Sequence, residues 1–255
     1  MDILLTNDDG VDAGGIDALY DELSEIVEVT VVAPVDNQSG AGRTNSHKVA
    51  VDDHERGLVV HGTPCDCVAV GLQALDPTPE LVVSGCNAGP NFGAHKLDRS
   101  GTVGAAKEAV YLGVPGIAIS AYDPVAGGLR EFEREDFVPP ARVARYLVEN
   151  ADSIGSGTYL NVNAPTVRDD ARIQITRPTR DFGVRIERNR DEDGFAVVDQ
   201  FYDPLRGDRP EELDDPKGTD RRALADGEIS VSPLGVGHEL KRSDGLEGVA
   251  AEFEQ

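Results

Sequence analysis

The stretch LVVSGCNAGPNFGAHKLDRSGTVGAAKEAVYLGVPGIAIS, residues 81 to 120, decides how the chain is read. Its opening, LVVS (81 to 84), is a short apolar run of the kind buried in a parallel sheet. A polar, glycine-rich segment follows, GCNAGPNFGAHKLDRSG, and then TVGAAKEAVYLG supplies a helix of small residues before a second apolar run, GIAIS (116 to 120). Strand, loop, helix, strand is the unit that joins parallel strands, and its right-handed crossover lays the helix on one sheet face.

The alternation extends outward in both directions. Upstream, DILLT (2 to 6) ends at NDDG, and Ile16, Leu19, Tyr20 and Leu23 then recur at helical spacing. VTVVAP (29 to 34) is a β-branched run closed by Pro34, and a polar loop rich in Gly, Asn and Ser continues to about residue 46. Two extended runs within residues 48 to 61 predict a hairpin. TPCDCVAVGLQAL (63 to 75) predicts a helix started by Thr63 and Asp66 as a capping box, with Pro64 at its first position. Downstream, Pro139 and Pro140 precede a helix with Val143, Tyr146 and Leu147 on one face, and TYLNVNAP (158 to 165) supplies another strand.

The expectation is an α/β fold: a three-layer, doubly wound, mostly parallel sheet over residues 1–165, Rossmann-like, with helices on both faces. After residue 166 the runs RIQIT, FAVVDQF and EISVSP alternate with strongly charged turns such as PEELDDPKGTDRR. They predict a β-rich C-terminal arm, residues 166–255, that packs on the sheet or on a partner subunit, so that the chain is a single domain.

A chain of 255 residues buries roughly 70 to 75% of its unfolded surface, so its core needs no disulfide or metal staple. With 24 basic and 47 acidic residues the formal charge is −23, which disfavours binding to a nucleic acid polymer, because phosphate-backbone affinity rests on clustered Lys and Arg. The basic residues comprise 5 Lys and 19 Arg, a balance that together with the many carboxylates matches the acidic proteins of salt-loving cells. Cys65, Cys67 and Cys86 have no zinc-type spacing and read as small core residues. No stretch has the length of a signal h-region or of a membrane span, so a cytoplasmic protein without membrane contact is expected.

In open α/β sheets ligands bind in the crevice at the carboxyl ends of the strands. Asn7-Asp8-Asp9-Gly10, Asn37-Gln38-Ser39-Gly40 and the segment from Ser84 to Asn91 all fall at such ends. Paired carboxylates with hydroxyl and amide oxygens are hard donors that suit Mg²⁺, Mn²⁺ or Ca²⁺. Taken alone, NDDG reads equally as a strand-ending turn. Arg99-Ser100-Gly101-Thr102 opens a helix, where free N–H groups attract phosphate, or where Ser100 or Thr102 simply caps the helix. Lys96 and Arg99 either add charge to such an anion site or sit in solvent. Walker, dinucleotide-binding and nucleophile-elbow motifs are absent, Asn7 stands where a haloacid-dehalogenase nucleophile would be needed, and His47, His54, His61, His95 and His238 show no ligand spacing.

Taken together, LLTNDDG (4 to 10), VVAPVDNQSG (31 to 40), GTPCDCV (62 to 68), VVSGCNAGPNFG (82 to 93) and SGTVGAAKEA (100 to 109) closely resemble the survival protein E (SurE) family of 5′-nucleotidases. Weaker echoes follow in LNVNAP (160 to 165) and GTDRRALADGEISVSPL (218 to 234). The resemblance implies a metal-dependent phosphatase that splits nucleoside 5′-monophosphates into nucleoside and phosphate, with a C-terminal arm exchanged in a homodimer or homotetramer. By motif it implies one divalent cation per subunit, Mg²⁺ or Mn²⁺, held by Asp8, Asp9, Ser39 and Asn87. Asp8 or Asp9 would act as the catalytic carboxylate, and Asn91, Ser100, Gly101 and Thr102 would line the phosphate site. Cys65, Cys86 and Asp98-Arg99 depart from the family's usual residues without removing a ligand. A broader phosphatase or exopolyphosphatase, and a nucleotide or metal sensor without catalysis, are the competing readings.

Overall fold

A computed structural model of the chain describes residues 1–124, 131–167, 170–189, 194–199, 201–202, 205, 213–237 and 249. His238, Gln200 of FAVVDQF and residues 210–212 of the charged turn lie outside the described residues. The first half runs β1 (Asp2–Thr6), α1 (Gly14–Leu23), β2 (Glu28–Pro34), a hairpin of β3 (Val51–His54) and β4 (Gly57–Val60), α2 (Pro64–Ala74) and β5 (Leu81–Ala88). Next come a single turn, α3 (Ala94–Leu97), then α4 (Gly101–Tyr111), β6 (Gly116–Tyr122), α5 (Val138–Glu149) and β7 (Thr158–Pro165). The remainder gives β8 (Ile173–Ile175), a hairpin of β9 (Val184–Asn189) and β10 (Gly194–Asp199), α6 (Asp220–Ala225) and β11 (Ile229–Gly235).

Nine strands form one sheet in the order β3, β4, β2, β1, β5, β6, β7, β11, β8. The six from β4 to β7 in that order are parallel, β3 pairs antiparallel with β4, and β11 pairs antiparallel with β7. The α/β, doubly wound, mostly parallel architecture is therefore as the alternation predicts. Two strands from beyond residue 165 enter this sheet, since β11 lies between β7 and β8. Chain order reverses at β1, which has β2 on one side and β5 on the other. Such a switch point opens a crevice above the strand ends.

The period-2 pleat explains why the centre of β1, Ile3 to Leu5, is apolar on both faces. Ile3 and Leu5 face a core with Ile16, Leu19 and Leu23 of α1 and Ala141, Ala144 and Val148 of α5. Leu4 faces the opposite core with Cys67, Val68 and Leu72 of α2 and Ala105 and Ala109 of α4. All three cysteines are buried and unpaired. The capping box is formed, with the Thr63 side chain accepting the Asp66 N–H and the Asp66 carboxylate accepting the Thr63 N–H at 2.8 Å.

One irregularity matters for the site. Strand β5 continues past LVVS to Ala88, and its register against β6 slips between Ser84, opposite Ala118, and Asn87, opposite Ser120. The extra residue is a bulge at Gly85, which has a φ of +139° and whose added Cβ would come within 2.2 Å of the Ile119 carbonyl oxygen. A bulge inverts the alternation beyond it. Cys86 thus joins Val83 in the core beneath α1, and Asn87 is turned out to the side of α4.

Candidate active site

The carboxyl ends of β1 and β5, the loop after β2 and the start of α4 enclose a cleft of about 490 Å³. Asp8, Asp9, Ser39 and Asn87 line it together with Asn91 and Ser100, so residues spread from position 8 to position 100 meet in one place. Six of the eight residues named from the motifs share this cleft. Gly101 and Thr102 lie behind it, in contact with Asp8.

Asn7 builds the turn that presents both carboxylates. Fully buried, it donates its amide to the Gly10 carbonyl at 2.8 Å and accepts the Gly10 N–H at 3.2 Å. The turn reading of NDDG thus holds for Asn7 and Gly10, and it leaves the Asp8 and Asp9 side chains at the cleft. Asp8 is 3% exposed, and its Oδ1 accepts the Thr102 hydroxyl at 2.6 Å. A Cβ on Gly101 would fall 2.8 Å from the Asp8 carboxylate, so a residue without a side chain is required for Asp8 to reach the first turn of α4. Burial pushes the Asp8 carboxyl up, against the opposing pull of the Thr102 hydroxyl and of the Thr102 and Gly101 N–H groups. The helix end expected to attract phosphate thus already faces a carboxylate.

Asp9 is pushed up to about 6, by burial first and then by the charge of Asp8. Two neighbouring carboxylates raised by burial and mutual charge are a destabilising arrangement that a bound cation would relieve. Ser39 reaches the rim because Gln38 N–H donates to the Asp8 carbonyl at 2.7 Å and Ser39 N–H to the Asn37 side chain at 2.8 Å. Further along the same loop, Arg43 pairs with Glu108 of α4 at 2.7 Å, and Ser46 N–H donates to Asp66 at 2.7 Å. Asn87 donates its amide to the Gly89 carbonyl at 2.5 Å, which leaves its oxygen as the free end.

Asn91 is held from three sides. Its N–H donates to Asn163 at 2.8 Å, its carbonyl accepts the amides of Asn161 and Asn163 at 2.9 Å each, and its own amide donates to the Ser120 hydroxyl at 3.0 Å. Ser100 caps α4 by accepting the Val103 N–H at 3.1 Å, so its hydroxyl hydrogen remains to be donated elsewhere. Between the capping and the anion reading, the two are compatible for Ser100. Lys96 and Arg99 add positive charge to the cleft wall.

Reading motifs alone misses three groups. Tyr202 lines the cleft from the C-terminal segment and packs edge-on against Phe92 at a ring separation of 5.1 Å. Asn161 and Asn163 lie two apart on one strand, so the period-2 rule places both on one face, but their partner is visible only once β7 is beside β6. Asp220, buried and bonded to the Gly93 N–H, carries no sequence signal beyond its motif. Among the described residues no three His, Cys, Asp or Glu side chains gather as for a metal, so any cation here would rely on amide and hydroxyl oxygens beside the two carboxylates. No helix of the described residues is long and apolar enough to cross a membrane.

The sequence model of the family described as survival protein SurE matches residues 3–183. The chain is 46% identical to the 5′-nucleotidase SurE of Natronomonas pharaonis, over the whole of both chains. It is 45% identical to the 5′-nucleotidase SurE of Halobacterium salinarum, covering 99% of this chain and 98% of that one. Several such relatives come from halophilic archaea, in line with the acidic composition. Among solved structures, the SurE protein of Aquifex aeolicus superposes with a TM-score of 0.75 at 30% identity, covering 100% of this chain and 99% of that one.

Proposed function

The chain belongs to the survival protein SurE family, and on that premise we propose that it is a metal-dependent 5′-nucleotidase that hydrolyses nucleoside 5′-monophosphates. The observation that carries this reading is the convergence of Asp8, Asp9, Ser39 and Asn87 on the cleft that also holds Asn91 and Ser100. Hard oxygen donors, two of them anionic, fit one Mg²⁺ or Mn²⁺ per subunit far better than a soft metal. When bound, the cation would supply Lewis acidity toward a phosphoryl oxygen and a water.

The protein's own groups do the rest. The Ser100 hydroxyl, the Asn91 side chain and the charges of Lys96 and Arg99 hold the phosphoryl oxygens in place. Gly101 and Thr102 serve the phosphate site at one remove, by fixing Asp8. Asp8 or Asp9 orients the attacking water and takes its proton. The water oxygen bonds to phosphorus as the ester P–O bond breaks, and the nucleoside oxygen leaves opposite and is protonated. Tyr202 offers an aromatic wall on which a base can stack.

For assembly, β9 and β10 place Val184, Ile186, Phe195 and Val197 on one face, 43%, 56%, 69% and 70% exposed. An apolar face of this kind supports a homodimer or homotetramer built through the arm. Buried unpaired cysteines are compatible with a reducing cytoplasm.

The test is phosphate release from a panel of nucleoside monophosphates, sugar phosphates and polyphosphate, with Mg²⁺, Mn²⁺ or a chelator, in high salt. Turnover of nucleoside monophosphates that stops on chelation is expected. Preference for polyphosphate would favour the exopolyphosphatase reading, and tight nucleotide binding without release would favour a sensor.

A further inference from the structure

Asp220 opens α6, is 127 residues from Gly93 along the chain and has no exposed surface. Its two carboxylate oxygens serve different parts of the molecule. Oδ2 accepts the N–H of Gly93 at 2.7 Å. Oδ1 accepts the N–H of Thr179 at 2.8 Å, the Thr179 hydroxyl at 2.7 Å and the N–H of Arg221 at 2.7 Å. The Thr179 carbonyl in turn accepts the N–H of Ala94 at 2.8 Å. Gly93 ends the short loop that carries Asn91, whose other end is fixed to β6 and β7 by Ser120, Asn161 and Asn163. A buried carboxylate is tolerated only when donors satisfy it, and here the donors come from the cleft loop and from the arm.

We propose that Asp220 is a positioning residue for the phosphate-holding loop: one oxygen fixes Gly93, the other fixes the arm at Thr179, and the docked arm thereby sets Asn91 for the substrate's phosphate. The proposal rests on the role given to Asn91 above. An amide in place of the carboxylate has one accepting oxygen and one donating nitrogen, yet both ends of Asp220 meet only donors. Keeping the oxygen toward Thr179 and Arg221 satisfies more groups, so Asp220→Asn turns a donor against the Gly93 N–H and releases the loop while leaving the arm docked.

The experiment is steady-state kinetics of the full-length protein with a nucleoside monophosphate and Mn²⁺. Asp220→Asn is expected to raise KM about tenfold with kcat nearly unchanged, the loss of roughly one hydrogen bond's worth of binding. A merely structural role would lower kcat with the active fraction and leave KM alone, and that result overturns the proposal. Amide hydrogen exchange on the wild-type protein gives a second reading that needs no variant. A protected Gly93 amide is expected, and a Gly93 amide exchanging at the rate of open chain overturns the proposal even if Asp220→Asn does not fold. Wild-type protein that releases no phosphate from any nucleoside monophosphate takes down the functional reading itself, an outcome distinct from either of these.

Discussion

Thr102 donates its hydroxyl to Asp8 at 2.6 Å across 94 residues of chain, so the first turn of α4 holds the carboxylate two residues beyond β1. Both groups are buried, Thr102 completely. Removing the hydroxyl strips the buried Asp8 carboxylate of its side-chain donor and leaves it only the backbone N–H groups. Thr102→Val is therefore expected to lose about 1 to 3 kcal/mol of stability and to weaken Mn²⁺ binding, whereas Thr102→Ser keeps both. Denaturant unfolding and calorimetric titration of the two variants check this, and a Val variant with wild-type stability would contradict it.

Asp9 sits beside Asp8 with its carboxyl raised to about 6 by burial and by that neighbour's charge. Asp9→Asn removes the repulsion without changing shape. Turnover is expected to fall at least about a hundredfold, while the melting temperature in chelator stays level or rises, the pattern of a site built for function at some cost in stability. Asp8→Asn is expected to abolish turnover with the fold retained. Near wild-type phosphate release from either variant would remove these residues from the mechanism.

Asp66 holds the start of α2 and the end of the long loop. Burial would raise its carboxyl, but donation from Ser46 and Thr63 outweighs this and leaves it below the usual range. A depressed carboxylate contributes stability that is fully present above its ordinary value of 3.8 and is lost as pH falls through the folded value. Asp66→Asn is expected to cost about 1 kcal/mol near neutrality, with the difference from wild type shrinking in acid. Unfolding curves at neutral and acidic pH decide it, and a difference that grows toward low pH has the wrong sign.

A formal charge of −23 on 255 residues makes self-repulsion of the surface a standing cost in dilute buffer. Potassium chloride screens it within about 10 Å at 0.1 M and more tightly above. The melting temperature should climb steadily from low salt into the molar range. A flat profile would mean that the acidic surface carries no stability consequence.

Tyr202 is the aromatic side chain at the cleft wall. Tyr202→Ala is expected to raise KM for nucleoside monophosphates about tenfold, the worth of roughly one stacked base, and to leave ribose 5-phosphate unaffected. Equal losses on both substrates would instead place its effect on the shape of the loop at Pro90 and Phe92.

The sequence by itself determined the layers of this protein and which polar residues line its cleft. Apolar runs of strand length separated by helical periodicity dictate a parallel sheet covered on both faces, because no other arrangement buries them. The oxygen-rich clusters then fall at strand ends by connectivity alone. The capping box of Thr63 and Asp66 was legible for the same reason: it is a contact within a few residues. Only the tertiary structure decided how those clusters are aimed. The bulge at Gly85 that turns Asn87 outward, the Gly101 contact that lets Asp8 occupy the start of α4, and the hold of Asn161, Asn163 and Asp220 on the Asn91 loop all depend on strand register and long-range packing. Register and close approach are properties of two segments meeting, and neither segment carries them alone.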